Sequence, residues 1–580
     1  MVLAAMGRCM LPQNHIEGTY GLSSQRGCRV THGSVMSGGM AIVEALLANG
    51  VRQVFGLPGA QLYPLFDALQ QRSDVVRTIG ARHEQACAYM AFGAARSTGR
   101  PGVYAVVPGP GVLNTTAALA TALGCCAPVL CITGQVPAAF HGRGRGHLHE
   151  LPDQLATLRT LTKWAARIER PADAPAVIAE AFHQMLSGRP GPVAVEMAWD
   201  AMAASEAVPG AFAARPPDGI GPARAEIAAA AELIAGARHP MIMTGSGAQA
   251  ASAEVEALAE LIGAPVAAFR GGRGVVAEDH PLGVSSYTAA LLWPDTDVLI
   301  GIGSRLEMPY MRWAGMMRLI DRPQPPPHLV RIDIDPAEMG RLVPHAGVVG
   351  DAAVATRMLV DALRSRQTAA PPSPPPRVAE AKRQARAAIE KVQPQLAYLD
   401  VIRAVLPRDA FLVPELSQAG FASYFGYPVL EPRTYVSEGY QGTLGFGFPT
   451  ALGVKAANPD RVVVSITGDG GLMFGVQELA TAAQEGIALV TVLFNNRAFG
   501  NVLRDQRTNF GNRIIGAVLE NPDFMQLATA FGIEGHRVAS PEALRPVLVA
   551  AIAANKPVLI EVEIAPGSEV SPWEFIHVKP

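Results

Sequence analysis

The chain reads as an α/β protein of three doubly wound parallel-sheet domains, and three observations predict this. Short apolar runs rich in Val and Ile alternate with helical patterns along almost its whole length, as parallel strands joined by crossover helices do. Two stretches rich in Pro, Gly and Ala, Val208 to Pro222 and Gln367 to Pro376, interrupt the alternation. At 580 residues the chain is too long for a single core.

Composition narrows the function classes. The 49% hydrophobic content, with few charges, suits large buried α/β layers. A net charge of −2 gives no electrostatic reason to expect nucleic acid or an anionic membrane as partner. No run reaches the roughly 18 uncharged apolar residues of a membrane span. The six cysteines (Cys9, Cys28, Cys87, Cys125, Cys126, Cys131) lack zinc spacing, and apolar neighbours surround Cys87 and Cys131. Buried reduced thiols in a cytoplasmic protein are expected.

In chain order, residues 1–35 mix Gly, Ser, Arg and His without period. They are expected to be a disordered extension or a mis-assigned start. From Met40 a helix (MAIVEALLANG), a strand (QVFGLPG), a helix (LYPLFDALQQ) and a strand (VVRTIGA) open the first domain, 36–205, which ends near the strand PVAVEMA. The second, 220–366, alternates helices with the strands PMIMTGSG, PVAAF, DVLIGIGS and HLVRIDIDP. The third spans 377–566. A tail, 567–580, carries Trp573, Phe575 and Ile576 and is too apolar for a free end, so it should pack back onto the body.

The densest signal lies in the third domain between Val462 and Val502. An apolar run (Val462–Ile466) breaks at Gly468-Asp469-Gly470-Gly471, a helical pattern carries Val476 to Gln484, and a second apolar run, Ala488–Phe494, ends on Asn495-Asn496. This is a βαβ unit with polar residues at the carboxyl ends of both strands, where open parallel sheets bind ligands. Asp469 and Asn496 are 27 positions apart, yet adjacent parallel strands would bring them together. A carboxylate, an amide oxygen and a nearby main-chain carbonyl make a hard oxygen site suited to Mg²⁺. Glycines there let main-chain N–H groups approach a phosphate. A lone Gly-Asp-Gly would pass for an ordinary turn; the Asn-Asn ending at this spacing argues otherwise.

Gly-Asp-Gly followed by Asn-Asn resembles the diphosphate- and metal-binding motif of thiamine-diphosphate enzymes. The three-domain order over about 36–566 resembles their acetolactate synthase-like branch. The resemblance implies thiamine diphosphate and Mg²⁺ as cofactors, with the pyrimidine ring on the first domain and the diphosphate on the third. It also implies sites shared between subunits, so a homodimer or homotetramer. Asp469, Asn496 and the Ala498 carbonyl would hold the metal. Ser417, Gly470, Gly471, Gly500 and Asn501 would hold the diphosphate. Gly442-Thr-Leu-Gly-Phe-Gly resembles the segment that bends the cofactor, with Leu444 as the wedge and the Gly442 carbonyl as acceptor for its 4′-amino group. Glu84, in Arg82-His-Glu-Gln-Ala, matches the catalytic glutamate that bonds pyrimidine N1′; read alone it would be an acid placed to suit a helix N-terminus.

Substrate-side residues are fewer. Phe55-Gly-Leu-Pro-Gly-Ala60-Gln61 resembles the loop lining the reacting carbon, and Ala60 offers no acid–base group. His147 and His149 lie near the Phe-Gln-Glu segment of biosynthetic acetolactate synthases, and His149 is the candidate to orient a carbonyl or shuttle a proton. Acetolactate synthases hold FAD on the central domain. Phe269-Arg-Gly-Gly-Arg273 and Glu278-Asp-His-Pro resemble that region, but Gly283-Val-Ser-Ser-Tyr287 and Arg305-Leu-Glu-Met-Pro309 depart from it. Asp505 stands about where a tryptophan is expected. These departures count against FAD and against the branched-chain biosynthetic role. The reading is therefore a carboligase or lyase acting on 2-oxo acids or 2-hydroxy carbonyl compounds. The alternatives are a 2-oxo-acid decarboxylase or a 2-hydroxyacyl-CoA lyase. Outside the family, a nicotinamide oxidoreductase could be built on the weak glycine turn Thr244-Gly-Ser-Gly.

Overall fold

A computed structural model describes residues 33–211, 213–313, 328–366 and 374–578. Among the described residues three wholly parallel sheets form, beside one two-stranded antiparallel pair. The first runs Arg77–Gly80, Gln53–Gly56, Gly102–Val106, Val129–Gln135, Val193–Ala198, Trp164–Ile168. The second runs Gly283–Val284, Val266–Ala268, Pro240–Thr244, Val298–Ile302, His328–Asp333, Ala346–Val349. The third runs Phe411–Pro414, Val463–Gly468, Val490–Asn495, Val558–Glu563, Glu534–Val538. Helices cover both faces, so central strands such as Val129–Gln135 are buried at every residue, which is why they read as continuous apolar runs.

In the first sheet the strand order reverses between Gln53–Gly56 and Gly102–Val106, which places the loops at 57–62 and 107–114 in the crevice where such sheets bind ligands.

One core is shared between the first and third sheets. It contains Tyr89, Met90 and Phe92 of the helix Glu84–Thr98 together with Phe446, Phe448 and Leu452 around the helix Gly447–Ala457. These helices cross backbone to backbone. A Cβ on Gly93 would lie 2.2 Å from the Thr450 carbonyl oxygen, and one on Gly453 would lie 2.0 Å from that of Met90.

Several elements differ from the sequence expectation. Ser34–Ser37 pairs antiparallel with Ser205–Val208, so ordered structure reaches into the stretch expected to be an extension; residues 1–32 lie outside the described residues. The turn expected at Gly468–Gly471 is instead one helical turn, Asp469–Leu472. Bends closed by Gly475 N–H to Leu472 O and Glu478 N–H to Gly475 O then delay the next helix to Glu478–Glu485. Most of the proline-rich stretch, 367–373, also lies outside the described residues. The tail forms a short helix, Trp573–Ile576, with Phe575 and Ile576 buried and the Phe575 ring edge-on to Tyr287 at 4.8 Å. Among the described residues no helix is long and apolar enough to cross a membrane.

Candidate active site

Parallel pairing of Gly468 with Phe494 sends Asp469 and Asn496 out of neighbouring strand ends. Asp469 is only 1% exposed. Burial pushes its carboxyl above the usual range, against the pull of Asn521 and of the Gly470 N–H. Asn521 Nδ2 spans Asp469 Oδ2 at 2.7 Å and Asn495 Oδ1 at 3.0 Å. Among the described residues no Lys or Arg pairs with Asp469. A buried carboxylate satisfied only by neutral donors is costly, and a cation would remove that cost. The oxygens that the two neighbouring strand ends offer (the Asp469 carboxylate, the Asn496 amide oxygen and the Ala498 carbonyl) are all hard, which fits Mg²⁺.

Asn496 uses both ends of its amide. Nδ2 donates to Glu569 Oε2 at 2.6 Å, and Oδ1 accepts the Ala498 N–H at 3.1 Å across Arg497, whose φ of +55° makes the turn. The Glu569 carboxyl is pushed up to about 7, mainly by burial and also by the Asp469 charge.

Ser417 caps the helix Gln418–Gly426 through Oγ. A Cβ on Gly468 would stand 3.1 Å from Ser417 Cβ. On Gly470 it would strike the Phe499 ring at 2.4 Å, on Gly471 Glu415 Cγ at 2.6 Å, and on Gly500 Asn496 Nδ2 at 2.9 Å. A side chain at these glycines would force its neighbour to shift, and the same closeness packs three segments, 415–417, 468–471 and 496–500, against one another. Asn501, in the first turn of the helix Gly500–Asn509, accepts from Trp573 Nε1. Gly442, at φ +60°, sits near Leu416, and Leu444 is half-buried beside it.

Glu415 anchors that loop. Its carboxyl accepts the Gly447 N–H at 2.6 Å and the Leu416 N–H at 3.1 Å, and burial pushes it up to about 7.

A second group of residues gathers at the carboxyl edge of the first sheet. Glu84 opens its helix and accepts from Asn114 Nδ2 at 3.0 Å, an amide at the end of the short helix Pro110–Asn114. Ala60 and Gln61 lie on the facing loop. Gln61 is 1% exposed and both ends of its amide are used: Nε2 donates to the Leu148 carbonyl at 2.9 Å, and Oε1 meets His149 Nδ1 at 2.9 Å. The Leu148 carbonyl sets which end of Gln61 is which, so His149 Nδ1 carries the proton and Nε2 is left as an acceptor when the ring is neutral. His149 holds φ +66°, a strained value for a residue of its size. His147 stands apart, its main-chain N–H on Glu150 and its ring against Phe140.

Among the described residues no hydrogen bond or ion pair joins Glu84, Gln61 or His149 to the Asp469 group. In the central domain Arg273 is fully buried against Glu278 and the Ser423 carbonyl, and Arg305 lies over the Tyr440 ring at 4.8 Å. The glycine turn after Thr244 packs on the next strand end, a Gly245 Cβ lying 2.1 Å from the Gly303 oxygen.

Four residues of the site escaped the sequence reading: Asn114, Glu415, Asn521 and Glu569. Glu415 left a trace, an acid directly after the apolar strand Phe411–Pro414. The other three are polar residues at a short helix's end (Asn114), in a loop (Asn521) and in the tail (Glu569), distant in sequence from the groups they touch.

Comparison with known proteins finds three matching domains. Residues 36–157 match the N-terminal thiamine pyrophosphate (TPP) binding domain of thiamine pyrophosphate enzymes, 227–359 their central domain, and 417–562 their C-terminal TPP binding domain. The chain is 34% identical to a probable acetolactate synthase large subunit of Methanocaldococcus jannaschii, covering 92% of each chain. It is also 34% identical to a probable 2-ketoarginine decarboxylase of Pseudomonas aeruginosa, over 86% of this chain and 88% of that protein. A glyoxylate carboligase of Escherichia coli O157:H7 is 31% identical, over 91% and 94%.

Proposed function

From a chain that belongs to the thiamine pyrophosphate enzyme family, in its acetolactate synthase-like branch, we propose a Mg²⁺-dependent carboligase or lyase of 2-oxo acids or 2-hydroxy carbonyl compounds. The observation that carries the proposal is Asp469: a buried carboxylate that no Lys or Arg pairs with among the described residues, at a strand end next to the one that leads to Asn496, where glycine-bearing segments converge.

Thiamine diphosphate, when bound, supplies a thiazolium carbon that adds to a carbonyl and takes up an electron pair. In this proposal Asp469, Asn496 and the Ala498 carbonyl hold Mg²⁺. Ser417, Gly470, Gly471, Gly500 and Asn501 hold the diphosphate. Leu444 supports the rings and the Gly442 carbonyl accepts from the 4′-amino group. Glu84 holds a proton at pyrimidine N1′, with Asn114 fixing its carboxyl. His149, oriented by Gln61, presents Nε2 toward a donor such as a substrate hydroxyl.

Glu84 and Asp469 would meet across a homodimer or homotetramer. The exposed Leu113, Met473 and Phe474, which flank the two groups, support this.

A simple 2-oxo-acid decarboxylase is the second reading, favoured by the likeness to the probable 2-ketoarginine decarboxylase. Purified protein with thiamine diphosphate and Mg²⁺, offered a panel of 2-oxo acids, aldehydes and acyl-CoAs, separates them by mass spectrometry of the products. A ligated product supports the carboligase, and release of CO₂ with aldehyde alone supports the decarboxylase. Asp469→Ala should be inactive and should lose Mg²⁺-dependent cofactor binding. Strong selection of 2-oxobutyrate as acceptor, with tightly bound FAD, would instead make this a biosynthetic acetolactate synthase.

A further inference from the structure

We propose that Glu569 is a positioning residue of the metal site: from the C-terminal tail it fixes which end of the Asn496 amide is oxygen, and so sets the affinity for the cation. This deepens the reading of Asp469 and Asn496 as metal ligands and rests on it.

The physical argument begins with the amide. An asparagine can present its nitrogen or its oxygen to a given neighbour, and only the oxygen ligates a hard cation. Asn496 Nδ2 lies 2.6 Å from Glu569 Oε2. Turning the amide over would set oxygen against carboxylate oxygen, so Glu569 holds the nitrogen on its own side. On the other side, Oδ1 takes the Ala498 N–H at 3.1 Å and keeps a second lone pair for a cation. Asp469 is held in the same manner by Asn521. Partners of this kind, bonded to a ligand rather than to the metal, orient ligands and govern affinity.

Glu569 can do this only because the tail is tied down around it. The Val570 N–H donates to the Gln393 carbonyl at 3.0 Å, and Gln395 Nε2 returns a bond to the Val570 carbonyl at 2.8 Å. Arg504 Nη1 holds Ser571 Oγ at 2.7 Å, and Trp573 bonds Asn501. Both Arg504 and Asn501 belong to the helix that begins at Gly500. Tail and diphosphate end are thereby built as one unit.

The test is binding of Mn²⁺, standing in for Mg²⁺, to the full chain with thiamine diphosphate, read by electron paramagnetic resonance, with melting curves to confirm folding. Glu569→Ala should weaken Mn²⁺ binding about 10–100-fold. Glu569→Gln, which keeps an acceptor for Asn496 Nδ2, should restore most of the loss. In an Asn496→Asp background, where there is no N–H to hold, Glu569→Ala should cause no loss; if Glu569→Ala folds poorly, Glu569→Met, which keeps the side chain's bulk and offers no strong acceptor, replaces it in both arms. Unchanged or tighter binding in Glu569→Ala would overturn the proposal, as would Glu569→Gln as weak as Glu569→Ala. Asp469→Ala is the control: if it binds Mn²⁺ as the parent does, the metal site itself has been misassigned.

Discussion

Glu84 and Glu415 are both carboxyl groups beside the candidate site, but their surroundings ask different things of them. Glu84 is half-buried and bonded by the Asn114 amide, and the proposed function asks it to serve the pyrimidine N1′. Glu84→Gln keeps the shape and loses the proton. General acid–base contributions run to about 10²–10⁴ in rate, so turnover should fall by that order, with cofactor affinity much less affected. Deuterium exchange at the cofactor's C2, followed by NMR after acid quench, checks this; exchange as fast as in the parent would move the role to another group. Glu415 is sealed in and clamps a loop. Its folded-state pKa of about 7 lies above the ordinary 4.5, so the folded state prefers the protonated form. Its contribution to stability is therefore whole below about pH 4.5 and is lost as pH rises through about 7. Urea midpoints of the parent relative to Glu415→Gln should fall between those limits; a constant difference would mean that Glu415 does not titrate there.

At the scale of elements, the site depends on how closely two helices approach. Glu84–Thr98 and Gly447–Ala457 touch through Gly93 and Gly453, and any Cβ would enter the other helix's backbone. Backbone cannot step aside as a side-chain tip can. Gly93→Val or Gly453→Val should cost about 1–3 kcal/mol or more by overpacking, and should lower the melting temperature. Gly340→Ala is the control, since a Cβ there meets nothing within 4 Å. Parent-like melting of both valine variants would show that the helices are not in close contact.

At the scale of the whole molecule, the proposed sharing of each site between two subunits makes a prediction of its own. If two subunits share each site, inactive Glu84→Gln and inactive Asp469→Ala proteins complement each other. After mixing under conditions that exchange subunits, half the dimers are mixed, and each mixed dimer has one site with both residues intact. About a quarter of parental activity should return. No recovery, with subunit exchange verified by tagged chains, would place both residues in one chain's site.

Much of this was legible in the chain itself, because local rules govern it. Strand runs, glycine breaks and the helix start at Glu84 follow from periodicity, and the Asp469–Asn496 pair from two strand ends one crossover apart. A parallel βαβ unit leaves such residues little choice but to meet. Other features were decided only by the tertiary structure. Glu569 reaches Asn496 from 73 residues away, and Asn521 reaches Asp469 from 52. Gln61 fixes the proton on His149 across 88 positions. No propensity or spacing encodes those contacts. They exist because the tail and the loops are carried over the strand ends by the packing of whole domains. A polar side chain buried there takes whichever partner the assembled backbone brings within hydrogen-bond reach.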